Sequence, residues 1–186
     1  NTPVTNGDIE VNKIILNNLK KISPSIPIVS EETSENKNLD LNTFWLVDPI
    51  DGTYDYINNR DEFTLNAGLI INKVAVAGII YAPAKKRMFY SYGNNISYEL
   101  NNSNEKILNN KNIDKNNIRA VSYSNNLKPE IIEIHKKLKV KEYVKMKSSL
   151  KFCVIAAGEF HVYVAEPRAK EWDIAAGHAI LKNSGG

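Results

Sequence analysis

Phe-Trp-Leu-Val-Asp-Pro-Ile-Asp-Gly-Thr, residues Phe44–Thr53, joins a strand pattern to two closely spaced acids. Its first four residues are apolar strand formers, which predict a short strand buried on both faces. Pro49 has no N–H to donate to a neighbouring strand, so we expect the strand to end there. Asp48 and Asp51 would then share one turn at the carboxyl end of the strand.

The two residues that follow, Gly52 and Thr53, add backbone groups to the same turn. Glycine permits close backbone approach, and Thr53 is predicted to cap a short helix over Tyr54–Ile57, with free N–H groups at its start. Carboxylates beside such amides suit a divalent cation that also binds a phosphate, and hard oxygen ligands favour Mg²⁺. An ordinary Asp-Pro turn is the alternative interpretation of this motif alone.

Composition sets the class of protein. The chain has 186 residues, of which 42% are hydrophobic and 24% charged, so it predicts a soluble globular protein of one or two domains. The net charge is only +3 and the lysines are scattered, so the sequence does not indicate a binding surface for a nucleic acid polymer. This charge is compatible with a small anionic substrate. Peripheral membrane contact and oligomeric state stay open. The single cysteine, Cys153, excludes an internal disulfide framework and favours a reducing cytoplasm.

Upstream of the central stretch, apolar spacing predicts a helix that starts near Asn6 and carries Asp8 in its first turn. A brief strand over 26–29 follows and ends at Glu31, and residues 33–42 are predicted to be a loop. Downstream, three strands form a predicted antiparallel meander, with short strands and loops over 94–126. The three strands cover Phe63–Ile71, Lys73–Tyr81 and Arg87–Tyr92, and Asn72-Lys73 predicts a two-residue hairpin between the first two. The glycines Gly68 and Gly78 inside the strands predict bulges or close packing.

The C-terminal part alternates strands and helices, which is typical of an α/β arrangement. The strands are predicted over 120–123, 139–147 and 160–165, and the helices over 129–138, 148–157 and 172–181. A composition shift near 113–118 predicts the boundary between an N-terminal α+β lobe, residues 1–116, and a C-terminal α/β lobe, residues 117–186. Asp173 lies at the start of the last helix, where a helix-capping role is the plain interpretation.

Five acids thus lie at the ends of predicted elements, and their motifs resemble a known family. Ser30-Glu31-Glu32, Asp48-Pro-Ile-Asp-Gly-Thr53 and Glu171-Trp-Asp-Ile-Ala-Ala-Gly177 are similar, in order and spacing, to the three signatures of the inositol monophosphatase superfamily. Its members are magnesium-dependent, lithium-sensitive phosphatases. The segment Ser148-Ser-Leu-Lys151-Phe-Cys153 looks most like the bacterial 3'(2'),5'-bisphosphate nucleotidases of the CysQ type.

This resemblance covers nearly the whole chain and implies a layered αβαβα sugar-phosphatase fold. An antiparallel sheet would form the N-terminal lobe, and the C-terminal lobe would be α/β. The chain starts without Met and ends on Gly185-Gly186. We therefore expect a piece of a longer protein, truncated at both ends relative to the family.

The resemblance also implies a metal site. It predicts two Mg²⁺ ions, and a third, loosely hydrated ion anchored by Glu31. The implied ligands of the first ion are Glu31, Asp48 and the carbonyl of Ile50, and those of the second are Asp48, Asp51 and Asp173. Thr53 and Asp8 resemble the pair that orients and deprotonates the attacking water. The amides of Gly52 and Thr53 would hold the scissile phosphate.

The substrate follows from the same resemblance. Ser148 and Lys151 are similar to the pair that contacts the second phosphate of a bisphosphate nucleotide, so the implied reaction converts adenosine 3',5'-bisphosphate to AMP by hydrolysis of its 3'-phosphate. Such an enzyme would act in sulfur assimilation. An inositol monophosphatase or related sugar-phosphate phosphatase is the alternative. A silent metal- or nucleotide-binding homologue is the alternative that is not an enzyme.

The chain departs from the family pattern at three positions around this substrate site. Lys147 replaces a glycine, Ala165 an arginine, and Asn125 lies near an expected histidine. We expect Arg168, three residues after Ala165, to supply the lost positive charge.

Overall fold

A computed structural model describes residues 4–33, 41–109, 113–165 and 169–186. The helices of this described part are α1 (Asn6–Ile22), α2 (Thr53–Ile57), α3 (Pro129–Lys137), α4 (Leu150–Ala156) and α5 (Glu171–Asn183). The strands are β1 (Ile28–Ser30), β2 (Thr43–Asp51), β3 (Thr64–Ile71), β4 (Val74–Ala82), β5 (Arg87–Ser91), β6 (Ser97–Asn101), β7 (Asn104–Leu108), β8 (Ile118–Ser122), β9 (Val140–Lys145) and β10 (Val162–Tyr163).

The first seven strands form one sheet in which sequence neighbours are also neighbours in space. Strand β1 runs parallel to β2, and every later pair is antiparallel, as the predicted meander requires. Asn72 and Lys73 both adopt positive φ and join β3 to β4 as the predicted two-residue hairpin. The segment over 94–126, in which short strands are predicted, adds two further strands, β6 and β7, to this sheet.

The remaining three strands form a small parallel sheet in the order β10-β8-β9. Helix α3 connects β8 to β9 and helix α4 connects β9 to β10, so the predicted alternation of strands and helices is present. Helix α5 follows in sequence but packs on β3 and β4 of the large sheet. The division into lobes at residue 117 therefore stays a prediction.

Alternation of side chains along β2 places helices on both faces of the large sheet. Val47 is fully buried in a cluster with Leu19 of α1, whereas Leu46 packs with Ala175 and Ala179 of α5 on the opposite face. The largest core cluster joins this second face to α4 and to Val121 of the small sheet. Since α3 lies beyond the small sheet, where His135 contacts Tyr143 of β9, the layers run α1, large sheet, α4 with α5, small sheet, α3. The predicted αβαβα layering is confirmed.

Two glycines let α5 lie directly on the large sheet. A Cβ atom on Gly78 would be 2.5 Å from the carbonyl oxygen of Ala176, and one on Gly68 would be 2.8 Å from the amide nitrogen of the same residue. The predicted close packing of these strand glycines is confirmed. The backbone of α5 is therefore held against β3 and β4 at the shortest distance that the two backbones allow.

The strand β2 continues past Pro49, and the prediction that it ends there was wrong. It extends to Asp51, and its register with β3 shifts between Asp48 and Asp51. Such a bulge leaves a strand residue without a ladder partner, so a proline is tolerated there. Of the predicted loop over 33–42, residues 34–40 lie outside the described part of the chain. None of the helices within the described ranges is long and apolar enough to cross a bilayer.

Candidate active site

A cleft of about 410 Å³ opens beside the carboxyl end of β2. Residues from the β1–β2 edge, α2, α4 and α5 form its walls. The predicted site residues among those that line it are Glu31, Asp48, Ile50, Asp51, Gly52, Thr53, Lys151 and Asp173. Segments far apart in the sequence therefore bring most of the predicted site residues to one cleft.

Three acids converge at this cleft, namely Glu31, Asp48 and Asp173, which we call the acidic cluster. One carboxylate oxygen of each lies within 4.8 Å of the others. Glu31 directly follows β1, and its amide donates to the carbonyl of Val47 over 3.0 Å, so parallel pairing of β1 and β2 brings it beside Asp48. Asp173 comes from the first turn of α5.

Asp173 also caps its own helix. Its Oδ2 accepts the N–H of Lys170 over 2.8 Å, as the plain interpretation of an acid at a helix start predicts. The capping bond uses Oδ2 and fixes the side chain near the start of α5. Capping and membership of the acidic cluster are therefore compatible in this residue.

The acidic cluster is electrostatically unfavourable in the absence of a cation. Burial raises the pKa of Glu31 to about 7, with repulsion from Asp173 and Glu32 adding to the effect. Burial, and then the charges of Asp51 and Glu31, raise the pKa of Asp48 well above its ordinary value. The pKa of Asp173 is raised by burial and then by Asp51. In all three acids burial is the main cause of the raised pKa, and the like charges of neighbouring acids add to it.

The composition of this cluster fits a bound divalent cation. Asp48 is only 1% exposed, and its Oδ1 has no hydrogen-bond partner within the described residues. A buried carboxylate oxygen without a donor is costly unless a positive charge compensates it. Carboxylate oxygens gathered in this way are the ligand type that Mg²⁺ prefers.

Asp51 lies on the same wall but is held differently. Its Oδ2 accepts both the amide and the hydroxyl of Ser149, each over 2.5 Å. The Ser149 hydroxyl oxygen also lies 2.7 Å from the carbonyl oxygen of Asp173 and accepts the side-chain amide of Asn66 over 3.0 Å. Ser149 therefore joins three elements immediately behind the acidic cluster.

Thr53 and Asp8 face each other across the start of α2. The Thr53 hydroxyl donates to the carbonyl of Ile50 over 3.1 Å and lies 3.4 Å from Asp8 Oδ1. Asp8 Oδ2 accepts the amide and hydroxyl of Thr5 in a capping box, so this buried acid also stabilises α1. The prediction that Thr53 caps α2 was wrong. Gly52 is the N-cap, with φ of 94°, and Thr53 is the first helical residue.

The predicted phosphate contacts lie at the start of α4. Lys151 is mostly buried, and its ammonium donates to the carbonyls of Lys147 and Ser148 over 3.0 and 2.9 Å. Burial lowers the pKa of this ammonium. Ser148 is fully buried, and its hydroxyl accepts the N–H of Leu150. Arg168 lies outside the described residues.

Three polar residues of the site were missed by sequence reasoning. Ser149 lies inside a quoted motif, but no spacing rule assigns a partner to it. Asn66 lies in a predicted strand, and nothing in the sequence around it indicates a role in the site. Glu62, in the loop after α2, accepts the amides of Lys147 and Ser148 and so holds the start of α4. Their partners lie 24 to 98 residues away in the chain, so no local pattern could identify them.

Comparison with known proteins identifies the family. A sequence model of the inositol monophosphatase family matches residues 1–186 of this chain. The chain belongs to the inositol monophosphatase family. This assignment confirms the family resemblance of the three acidic motifs.

Two members of the inositol monophosphatase family align with this chain over most of their own length. The 3'(2'),5'-bisphosphate nucleotidase CysQ of Buchnera aphidicola is 39% identical over 194 residues, covering 100% of this chain and 70% of that protein. The protein of the same name from Salmonella typhimurium is 34% identical, covering 99% of this chain and 74% of that protein.

A solved structure of the inositol monophosphatase family shares the fold described above. The crystal structure of CysQ from Bacteroides thetaiotaomicron superimposes with a TM-score of 0.81 and 30% identity. The alignment covers 96% of this chain and 72% of that chain. The layered architecture is therefore that of the family.

Proposed function

We propose that this protein is a metal-dependent phosphomonoesterase that converts adenosine 3',5'-bisphosphate to AMP. The observation that carries the proposal is the acidic cluster, which opens on a cleft in a chain that resembles bisphosphate nucleotidases along its whole length. Two of those relatives are at least 34% identical to this chain. The proposal places the enzyme in the cytoplasm, in sulfur assimilation, and includes sensitivity to lithium.

The proposed cofactor is Mg²⁺, as two ions and a third, loosely hydrated ion at Glu31. Glu31, Asp48 and the Ile50 carbonyl would hold one ion, and Asp48, Asp51 and Asp173 the other. Bound Mg²⁺ would polarise the phosphoryl oxygens and lower the pKa of a water molecule in the cleft. The unpartnered oxygen of Asp48 and the raised pKa values of the acidic cluster support this assignment.

Thr53 and Asp8 are proposed to position the attacking water and receive its proton. The Thr53 hydroxyl lies between the Ile50 carbonyl and Asp8 Oδ1, so its oxygen would accept a hydrogen bond from the water and, as it takes the water's proton, its own proton would pass to Asp8 Oδ1. The carboxylate of Asp8 lies behind it as the base. Attack forms a bond between water oxygen and phosphorus and breaks the bond to the 3' oxygen. That oxygen takes up a proton from a solvent water to become the 3'-hydroxyl of AMP, Asp8 returns its proton to solvent, and inorganic phosphate leaves.

Substrate binding is proposed to use two groups of residues. The amides of Gly52 and Thr53 would hold the scissile phosphate at the start of α2. Ser148 and Lys151 would serve the second phosphate, for which the cationic side chain of Lys151 on the cleft wall is suited. Lys147 also lines the cleft, with its ammonium over the Tyr54 ring at 4.8 Å from the ring centre.

The test measures phosphate release from adenosine 3',5'-bisphosphate and from inositol monophosphate, each with Mg²⁺ and with a chelator. We expect faster hydrolysis of the nucleotide, and no hydrolysis of either substrate in the chelator. Faster hydrolysis of inositol monophosphate would instead support the sugar-phosphatase alternative. Mg²⁺ binding without turnover of either substrate would identify a silent homologue.

A further inference from the structure

Ser149 has an unusual position for a residue that does not line the cleft. It is fully buried at the N-cap of α4 and has polar partners on three other elements. Asp51 belongs to the end of β2, Asn66 to β3, and Asp173 to α5. A hydroxyl has one proton and two lone pairs: the Asn66 amide occupies one lone pair, and the proton is available to either of the two acceptors, Asp51 Oδ2 and the Asp173 carbonyl.

Two of these partners are acids of the cleft. The amide and hydroxyl of Ser149 both lie 2.5 Å from Asp51 Oδ2, which leaves the other oxygen of this carboxylate to face elsewhere. The hydroxyl oxygen also lies 2.7 Å from the main-chain carbonyl of Asp173. One residue therefore holds the side chain of one acid and the backbone of the other.

The amide of Asn66 completes the arrangement. It donates to the Ser149 hydroxyl oxygen over 3.0 Å, and Asn66 is itself 1% exposed. This donor occupies one lone pair, so the hydroxyl proton is directed toward Asp51 or the Asp173 carbonyl. The orientation of the hydroxyl is thus set from the sheet side.

We propose that Ser149 is a positioning residue that fixes Asp51 and the start of α5 relative to each other, so that the cleft acids are preorganised for a divalent cation. Hydrogen bonds behind metal-binding carboxylates restrict their rotation and raise metal affinity. Without the hydroxyl, Asp51 keeps one bond to the Ser149 amide, but α4 loses its link to Asp173. This inference rests on the metal site proposed above.

The test is a calorimetric titration of Mg²⁺ into the wild-type protein and Ser149→Ala, combined with the rise in Tm on adding Mg²⁺. We expect Ser149→Ala to weaken Mg²⁺ binding by about 10- to 100-fold, the usual effect of losing a group behind a metal ligand. At saturating Mg²⁺ the KM for the nucleotide should stay near the wild-type value.

Ser97→Ala is the matched control. Ser97 is also fully buried, and its hydroxyl donates to the carbonyl of Ile180, in α5, over 2.6 Å. This bond lies near the other end of α5, so its loss should lower stability without changing Mg²⁺ affinity. If Ser149→Ala does not fold, Asn66→Ala replaces it, and it should weaken Mg²⁺ binding in the same direction by a smaller factor.

The possible results separate this role from the metal site itself. Equal Mg²⁺ affinity in wild type, Ser149→Ala and Asn66→Ala would overturn the positioning role while leaving the metal site intact. A wild-type protein that does not bind Mg²⁺ would overturn both. Weaker binding in Ser97→Ala, to the same extent as in Ser149→Ala, would show that general loosening of α5 is the cause, and would also overturn the positioning role.

Discussion

The protein buries two groups of charged side chains, and it compensates their charges in opposite ways. In the acidic cluster, burial and like charges raise the pKa values of all three acids. Around Glu99, which is 2% exposed, the strands supply cations: Arg87 Nε lies 2.6 Å from one carboxylate oxygen and Lys106 Nζ 2.8 Å from the other. Arg87 also pairs with Glu159.

The pKa of Glu99 reflects this difference. Burial raises it, but the ion pairs with Arg87 and Lys106 outweigh burial and bring the pKa below its ordinary value. Glu99 is therefore stable as a carboxylate inside the fold. Asp48 is as deeply buried as Glu99, but the charges beside it are those of other acids, so the proposed cation would supply its compensating charge. The comparison separates acids that serve folding from acids that serve a ligand.

The largest expected effect is that of Asp48→Asn. This change removes one negative charge from the acidic cluster, so we expect the rate of nucleotide hydrolysis to fall by more than about 100-fold. Loss of a residue that only orients a metal ligand usually costs about 10- to 100-fold, and loss of a ligand should cost more. The metal-free protein should become more stable, because repulsion among the acids decreases. Phosphate release and thermal unfolding without metal measure the two effects. Wild-type turnover in Asp48→Asn would contradict the proposed role.

The second effect concerns the paired group. Glu99→Gln leaves Lys106 without its counter-charge and Arg87 with Glu159 alone, so we expect a loss of about 3 kcal/mol in the free energy of unfolding, typical of breaking a buried ion pair. Urea unfolding measures it. Asp61→Asn is the control, because Asp61 pairs with Lys85 over 2.9 Å but is 71% exposed, and its loss should cost less than about 1 kcal/mol. Equal losses in the two variants would remove the contrast between buried and exposed pairs.

The smallest expected effect is a pH dependence of the metal-free protein. The pKa of Glu31 is about 7 in the folded state and 4.5 in its ordinary state, so the folded protein binds the proton more tightly. The resulting stability is complete below pH 4.5 and is lost as the pH rises through 7. We therefore expect Tm without Mg²⁺ to fall between pH 5 and 8, and to fall less in Glu31→Gln. Glu99 contributes with the opposite sign, since its lowered pKa stabilises the fold above pH 4.5 and this is lost on acidification.

Saturating Mg²⁺ gives the control for this pH effect. A cation would take the place of the proton in the acidic cluster, so Tm in Mg²⁺ should depend less on pH over the same range. A metal-free protein whose Tm rises from pH 5 to 8 would contradict the account of Glu31.

Much of the fold was predictable because its signals are local. The apolar run before Asp48, the hairpin at Asn72-Lys73 and the alternation after residue 117 each depend on a few adjacent residues. The end of β2 was wrongly predicted at Pro49. The strand tolerates this proline because of a bulge, and the bulge arises from pairing with β3. Thr53 was misassigned as a cap because Gly52 occupies that position through its positive φ.

The candidate site was predictable only in part for a related reason. Asp48 and Asp51 stand in one motif, and the order of the motifs located Glu31 and Asp173. Ser149 could not be assigned, because its hydrogen bonds depend on how α4, β2 and α5 pack together. The sequence thus identifies acids of the cleft, while the groups that orient them follow from tertiary structure.

The contact between α5 and the two strand glycines sets how near Asp173 stands to Asp48. Asp173 stands only three residues before Ala176, the residue whose backbone lies over Gly68 and Gly78. A methyl group at either glycine would lift the helix from the sheet and carry Asp173 away from Asp48. The missing side chains of Gly68 and Gly78 thus set the spacing within the acidic cluster, although neither glycine belongs to it.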